Sequence, residues 1–294
     1  MLFNHVALMG VGLLGGSLGL SLQRQSLARR VTAYVRRSTS VSEALSLKVS
    51  HHATTDLGEA VRDSDLVILC TPIAQMKGLS ESLLPHLRPG TLVTDVGSVK
   101  ASLVADLEPL FQSQGCTFVG SHPMAGGEKI GMAHARADLF QNAVCVVTPT
   151  KLTSPKSLSV VRQLWEGLGS SLLEMSPEAH DQLVGRSSHL PHVLAAELAS
   201  YVLNPCHPAE QPQLCAGGFR DTTRIASGSP EMWRDICLAN ARNLSSDLGS
   251  FIQSLQEFQG ILNAGDGPAV EDFFRKAKGL RDSWQQGRNN PSDE

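Results

Sequence analysis

Several things are scarce in this chain, and each scarcity excludes a class of function. Basic residues do not exceed acidic ones: the net charge is −3, with 25 Lys and Arg against 28 Asp and Glu. A nucleic-acid binder would carry a basic excess, so that partner is not expected. No block of like charges is long enough to form an interaction tail. No apolar run approaches the roughly 20 residues that span a bilayer. The opening residues Met1-Leu2-Phe3-Asn4-His5 have neither the basic region nor the apolar core of a secretion signal. A soluble, cytoplasmic protein with no membrane partner is expected. The six cysteines, Cys70, Cys116, Cys145, Cys206, Cys215 and Cys237, are scattered, and no two are spaced Cys-x-x-Cys. That excludes a disulfide framework and a zinc site, and predicts that most are small buried residues.

What is present is an ordinary globular composition, 41% hydrophobic over 294 residues, enough for about two domains. Through residue 175 short apolar runs alternate with helix-like segments. The runs are Val6–Met9, Val31–Val35, Leu66–Cys70, Thr91–Asp95, Thr117–Val119 and Ala143–Val147, with Ser171–Met175 as a returning strand. Alternation of this kind predicts an α/β, doubly wound, mostly parallel sheet. From Ser176 to about Gln286 the patterns are helical, broken by a polar, Pro-rich loop at Asn204–Gln213. Three helix starts read Ser-Pro, at Ser154-Pro155, Ser176-Pro177 and Ser229-Pro230, because Ser caps free N–H groups and Pro suits the first helical position. The expected division is a dinucleotide-binding domain over 1–175, an all-helical substrate-binding and dimerisation domain over 176–287, and a frayed tail over 288–294.

Gly10-Val11-Gly12-Leu13-Leu14-Gly15 follows the first strand and opens a helix. In that context Gly10 makes the tight turn, Gly12 leaves room for a pyrophosphate and Gly15 lets helix and strand approach. The helix N-terminus then offers N–H groups to the phosphates. The residue that meets the adenosine ribose should lie about 20 residues further on, where an acid selects NAD. The sequence there is Val35-Arg36-Arg37-Ser38, without an acid. Arg36, Arg37 and Ser38 suit a 2′-phosphate, which favours NADP over NAD; a solvated basic turn is the competing explanation.

Two more segments belong at the carboxyl edge of the sheet, where such folds bind ligands: Thr94–Lys100 and Gly120–Gly126. Within the second, His122 is the acid–base candidate, since imidazole titrates near neutrality. A structural His is the plainer alternative.

Taken in order, Gly10-Val11-Gly12-Leu13-Leu14-Gly15-Gly16-Ser17, Cys70-Thr71-Pro72, Thr94-Asp95-Val96-Gly97-Ser98-Val99-Lys100, Ser121-His122-Pro123-Met124-Ala125-Gly126, Ser188-His189-Leu190-Pro191-His192 and Gly218-Phe219-Arg220-Asp221-Thr222-Thr223-Arg224 resemble the prephenate/arogenate dehydrogenase family of tyrosine biosynthesis. The resemblance runs from about His5 to the last helix. It implies oxidative decarboxylation of prephenate to 4-hydroxyphenylpyruvate, or of arogenate to tyrosine, with hydride passing to NAD(P). It implies that His122 polarises or deprotonates the ring hydroxyl and that Ser98 bonds near the same oxygen, although a Ser there also suits a helix cap. Arg224 matches the carboxylate anchor, with Arg220 as a second, and His189 matches the family's second His. Glu128 and Asp221 are read either as a charge network at the cleft entrance or as surface ion pairs. Cys70, Thr71 and Pro72 fall on the cofactor side. His189 and His192 are spaced like metal ligands, but Pro191 lies between them and no acidic partner is evident, so no metal is expected. A homodimer is implied, and a helix running from Ser229 through Ile261 has apolar residues on more than one face, as a subunit contact would.

Two other readings remain at this level. Imine and β-hydroxyacid reductases share the layout but use a Lys early in the helical region, and no Lys stands between Lys156 and Lys276. A sensor that binds nucleotide without catalysis would have no need of His122, Ser98 and Arg224 together.

Overall fold

The computed structural model describes residues 1–127 and 129–289. They fall into two compact units, which divide between Asn243 and Leu244.

In the first unit the chain runs β1 (Phe3–Met9), α1 (Leu13–Arg24), β2 (Ala28–Tyr34), α2 (Ser38–Ser46), β3 (His52–Thr54), α3 (Leu57–Val61), β4 (Leu66–Leu69), α4 (Ile73–Leu83), β5 (Leu92–Asp95), α5 (Ala101–Gln112), β6 (Thr117–Pro123), β7 (Val144–Thr148), α6 (Pro155–Gly167) and β8 (Ser171–Glu174). The eight strands lie in the order β3-β2-β1-β4-β5-β6-β7-β8. Every neighbouring pair is parallel except β6 with β7. The expected doubly wound, mostly parallel sheet is therefore present.

Successive side chains point to opposite faces of a strand, and both faces here are buried. Val6 and Leu8 join Leu66 and Ile68 in the core on one face. Ala7 and Met9 join Val67 and Leu69 on the other. This double burial explains why the strands read as continuous apolar runs. β3 has no counterpart among the expected strands, because it is three residues long and contains no such run. β2 begins earlier than expected because Arg29 and Arg30 extend it with their side chains exposed.

Strand order reverses between β1 and β4, and Gly10 and Cys70 follow those two strands. A crevice outside the carboxyl ends at such a reversal is the usual ligand position.

The first unit continues through α7 (Pro177–Val184), α8 (Leu190–Val202), α9 (Gly217–Thr223) and α10 (Pro230–Ala239). The three Ser-Pro helix starts behave as expected. Ser154, Ser176 and Ser229 accept hydrogen bonds from the N–H groups of Ser157, Ala179 and Met232. The segment from Ser229 is not one helix. It stops at Ala239 and resumes as α11 (Ala241–Asn263), with Asn240 as the break. The loop expected at Asn204–Gln213 ends in a short 3₁₀ turn, Gln211–Leu214. Of the six cysteines only Cys116 and Cys145 are buried, and Cys206 is exposed, so the expectation of mostly buried cysteines fails.

The second unit holds most of α11, and α12 (Gly267–Asn289). Phe258 stacks on Phe273 with centroids 4.3 Å apart, and Phe274 packs edge-on against both. Helix α12 takes in residues 288 and 289, which were expected in the frayed tail; residues 290–294 lie outside the described residues. No helix among the described residues is long and apolar enough to cross a membrane.

Candidate active site

The glycine loop is shaped by its own backbone. Gly10 has φ +98°, a conformation that side chains oppose. A Cβ on Gly15 would stand 2.1 Å from the Gly10 carbonyl oxygen, so only hydrogen fits there. Around Gly12, the N-cap of α1, a Cβ would meet nothing within 4 Å. The protein thus leaves open space where helix α1 presents its first N–H groups. Leu13 and Leu14 form its first turn. Thr71, beside Gly10, has a buried hydroxyl without a hydrogen-bond partner. Cys70 is half-buried, Pro72 stands at the N-cap position of α4, and burial raises the Cys70 thiol far above its usual range. An open cradle at a helix N-terminus, next to an orphaned hydroxyl, fits a dinucleotide diphosphate. Arg36, Arg37 and Ser38 are all exposed just beyond β2, with Arg37 at the N-cap of α2.

A second cluster lies at the carboxyl ends of β5 and β6. β6 pairs with β5 as far as Val119 and with β7 from Gly120 onward. Asp95 ends β5, and its carboxylate takes over the gap between strands: it accepts from Ser121 N at 3.0 Å and Gly97 N at 2.7 Å. The Lys100 ammonium, fully buried, donates to that carboxylate and to the Ser121 carbonyl at 2.9 Å. Burial lowers the Lys100 pKa, opposed by the charge of Asp95. This buried pair fixes the backbone on which His122 stands.

His122 is 8% exposed. Its Nδ1 lies 2.9 Å from His180 Nε2, and His180 Nδ1 lies 2.8 Å from Asp181 Oδ1. The same Asp181 carboxylate accepts from the backbone N–H groups of Lys100 (2.7 Å) and Ala101 (2.9 Å), so it caps α5 from another helix. Ser98 is half-buried two residues ahead of the α5 N-cap, which is Lys100, and makes no capping bond. The helix-cap reading of Ser98 is thereby corrected: Asp181 does that work. Burial first, then the charges of His180, Lys100 and His189, hold His122 well below the ordinary His pKa. It is neutral at neutral pH and able to accept a proton.

His189 ends a single π-helical turn, Gly185–His189, between α7 and α8. Such turns carry one residue more than an α-helix and often mark functional positions. His189 is 1% exposed and its Nδ1 lies 3.1 Å from Asn240 Nδ2. Burial pushes its pKa down to about 4. His192 stacks on Trp233 at 3.8 Å and lies near enough to Arg224 for that charge to help lower its pKa, after burial. Arg224 opens a 3₁₀ turn with its side chain exposed. Arg220 is not drawn in: its side chain is 81% exposed and faces Asp221 at 3.9 Å, a solvent-screened pair. Glu128 lies outside the described residues.

Lys100, His180, Asp181 and Asn240 were not anticipated as members of the site. His180-Asp181 follows a recognisable helix start, but nothing local signals that it meets His122, 58 residues away.

Residues 18–174 match the family description "Prephenate dehydrogenase, nucleotide-binding domain", and residues 176–276 match "Prephenate dehydrogenase, dimerization domain". A cyclohexadienyl dehydrogenase of Zymomonas mobilis is 32% identical, with 95% of each chain covered. A crystal structure of Aquifex aeolicus prephenate dehydrogenase, in complex with hydroxyphenyl propionate and NAD+, superposes with a TM-score of 0.89 at 33% identity, covering 95% of this chain and 98% of that one. Synechocystis arogenate dehydrogenase gives a TM-score of 0.81 at 30% identity, covering 95% of this chain and 99% of that one. The order of the two matched domains, together with this likeness along nearly the whole chain, shows that the protein belongs to the prephenate dehydrogenase family.

Proposed function

We propose that this chain catalyses the NAD(P)-dependent oxidative decarboxylation of prephenate or arogenate. The observation that carries the proposal is His122: neutral, held at the carboxyl edge of the sheet by a buried hydrogen-bond chain, with Nε2 left over. The bound cofactor supplies the hydride acceptor. As hydride leaves the ring carbon bearing the hydroxyl, His122 Nε2 takes the hydroxyl proton. The carbon–carboxylate bond then breaks, its electron pair makes the ring aromatic, and the oxygen regains a proton. Prephenate gives 4-hydroxyphenylpyruvate, carbon dioxide and reduced cofactor; arogenate gives tyrosine in place of the keto acid. Aromatisation drives the reaction, so the protein's task is orientation and one proton transfer.

Ser98 supports the hydroxyl oxygen from the α5 side. Arg224 is the proposed carboxylate anchor, next to His192 on its Trp233 platform, with His189 on the substrate's other side. Arg220 is the second proposed anchor, and Glu128 and Asp221 are proposed for a charge network at the cleft entrance. Gly10, Gly12, Gly15, Leu13, Leu14 and the Cys70-Thr71-Pro72 turn would hold the cofactor. Arg36, Arg37 and Ser38, exposed and without an acid among them, favour NADP. The proposed division is a dinucleotide-binding domain over 1–175 and a helical domain over 176–287, supported by matches over residues 18–174 and 176–276. A homodimer is supported by the match to a dimerisation domain and by exposed Ile252, Leu255, Leu262, Phe274, Leu280 and Trp284.

The decisive experiment compares rates for the four pairings of prephenate or arogenate with NADP or NAD, followed by absorbance of the reduced cofactor. Turnover with at least one pairing is expected, faster with NADP. Absence of turnover with all four removes the proposal. Faster turnover with NAD removes the 2′-phosphate role of Arg36 and Arg37.

A further inference from the structure

Two buried histidines flank Ser98 and Lys100, and the hydrogen bonds around them determine where each carries its proton. A carboxylate only accepts, so Asp181 Oδ1 must receive the proton of His180 Nδ1 at 2.8 Å. With its single proton on Nδ1, the His180 imidazole offers a lone pair at Nε2. That lone pair faces His122 Nδ1 at 2.9 Å, which must therefore be the protonated nitrogen. His122 Nε2 is left bare.

The second histidine follows the same logic with the opposite result. Asn240 Nδ2 donates to the Asp181 backbone carbonyl at 2.8 Å, which fixes the orientation of the amide, because reversing it would set oxygen against oxygen. Asn240 Oδ1 is taken by Asn243 Nδ2 at 2.8 Å. The remaining proton on Asn240 Nδ2 points to His189 Nδ1 at 3.1 Å, which must accept. His189 therefore carries its proton on Nε2. That nitrogen is buried and makes no close hydrogen bond, and the backbone group it faces is the Ser98 carbonyl.

We propose that Asp181 and Asn240 lock the two site histidines in opposite tautomers, His122 as a proton acceptor at Nε2 and His189 as a proton donor at Nε2. Asp181 is the shared element: its carboxylate sets His180 and hence His122, while its carbonyl sets Asn240 and hence His189. The site thus presents a base to the hydroxyl that loses its proton, while the His189 N–H is turned toward the Ser98 backbone beside it. Asp181, His180 and Asn240 are positioning residues, acting through the two histidines. The catalytic meaning of the lock rests on the proposed dehydrogenase reaction; the tautomers themselves do not.

Other ionisable groups face this chain. Lys100 and Asp95 come from the β5–α5 segment, Cys145 from β7 next to Lys100, and His192 from α8. A buried cation beside His122 disfavours imidazolium there, which keeps the ring neutral and makes the tautomer the variable that matters.

The test separates the lock from the activity. Full-length protein with ¹⁵N-labelled histidine, at about pH 8 where free imidazole is neutral, reports each tautomer through its ring nitrogen shifts without substrate. His122→Gln and His189→Gln assign the signals. Nδ1–H on His122 and His180 with Nε2–H on His189 is expected; Nε2–H on His122 or Nδ1–H on His189 overturns the proposal. Asp181→Asn is the functional counterpart. Its amide oxygen would keep the bond from Ala101 N–H and its nitrogen would donate to His180 Nδ1 at the cost of the Lys100 N–H bond, which reverses both imidazoles and leaves His122 Nε2 protonated. The kcat should fall about 10²- to 10⁴-fold, as for a base held in the wrong tautomer, with little change in KM. Should Asp181→Asn fail to fold, His180→Phe keeps the ring volume and removes the acceptor. It should release His122 to a mixture of tautomers and lower kcat in step. An unchanged His122 tautomer with kcat retained in His180→Phe overturns the lock. If the wild-type protein turns over neither substrate, the functional reading falls while the nitrogen shifts still decide the tautomers.

Discussion

The two parts of the site are built in different ways. At the glycine loop the backbone does the work. Gly10 turns, Gly15 lets α1 reach β1, and Gly12 leaves a space that no protein atom fills. At the histidine cluster the work is done by side chains from β5, β6, α7, the π turn and the residue after α10. A cradle made from consecutive residues tolerates changes elsewhere in the chain. A cluster held by hydrogen bonds across long separations depends on every element that supplies a partner. Binding and chemistry should therefore come apart under mutation.

The largest separation is expected at His122. His122→Ala should lower kcat about 10²- to 10⁴-fold through loss of the base, while cofactor affinity, measured by calorimetry, stays close to wild type. A matching loss of cofactor affinity would erase the distinction between the two parts. Next is the buried pair beneath it. Lys100→Met strands the Asp95 carboxylate in the core and should cost about 3–5 kcal/mol of stability in a denaturant titration. A cost below 1 kcal/mol, on the scale of a surface substitution, would mean that Asp95 finds other partners. Arg224→Ala should raise KM about 10- to 100-fold with kcat little changed, as expected for a lost charged contact worth roughly 1.5–3 kcal/mol. Unchanged KM would exclude Arg224 as the anchor.

Acid should weaken the cluster before it touches the cradle. In the unfolded chain His189 titrates at 6.5, and in the fold burial lowers it to about 4. The unfolded chain therefore binds more protons between these values. The contribution of His189 is complete above pH 6.5 and is lost as pH falls toward 4, about 2 kcal/mol by pH 5. His122, also lowered by burial, acts in the same direction. Denaturant midpoints across this range for wild type and His189→Gln would measure the difference, and parallel curves would absolve His189. Smallest is Gly12→Ala. The added methyl meets no protein atom, so stability should change by no more than about 0.5 kcal/mol, yet cofactor should bind about tenfold more weakly. Equal affinity would show that the space is not where the phosphates lie.

The same contrast explains how much of the molecule could be read in its sequence. The cradle is local: glycine spacing after an apolar strand states its geometry, and the three Ser-Pro caps state where helices begin. Strands buried on both faces announce themselves as apolar runs. The three-residue β3 has no run to announce. His122 was legible because it stands near the end of an apolar strand, β6, and family motifs pointed to Ser98, His189 and Arg224. His180, Asp181 and Asn240 were not, because their roles exist only after α7 and the end of α10 have packed. The break at Asn240 illustrates the difficulty. Apolar spacing continues across it and suggests a single helix, while the fold interrupts the helix and spends the Asn side chain on His189 and the Asp181 carbonyl.

The π turn at Gly185–His189 has a consequence for how this site can change over time. One surplus residue in a helix advances the rotational phase of all that follows by about 100°. His189 and α8 therefore keep an angular setting that α7 alone would not give them, while His180 and Asp181 keep theirs. Removing a single residue such as Ser187 would close the turn into regular helix and swing one histidine away without disturbing the other. Divergence in this stretch should thus proceed by substitution, with length held constant.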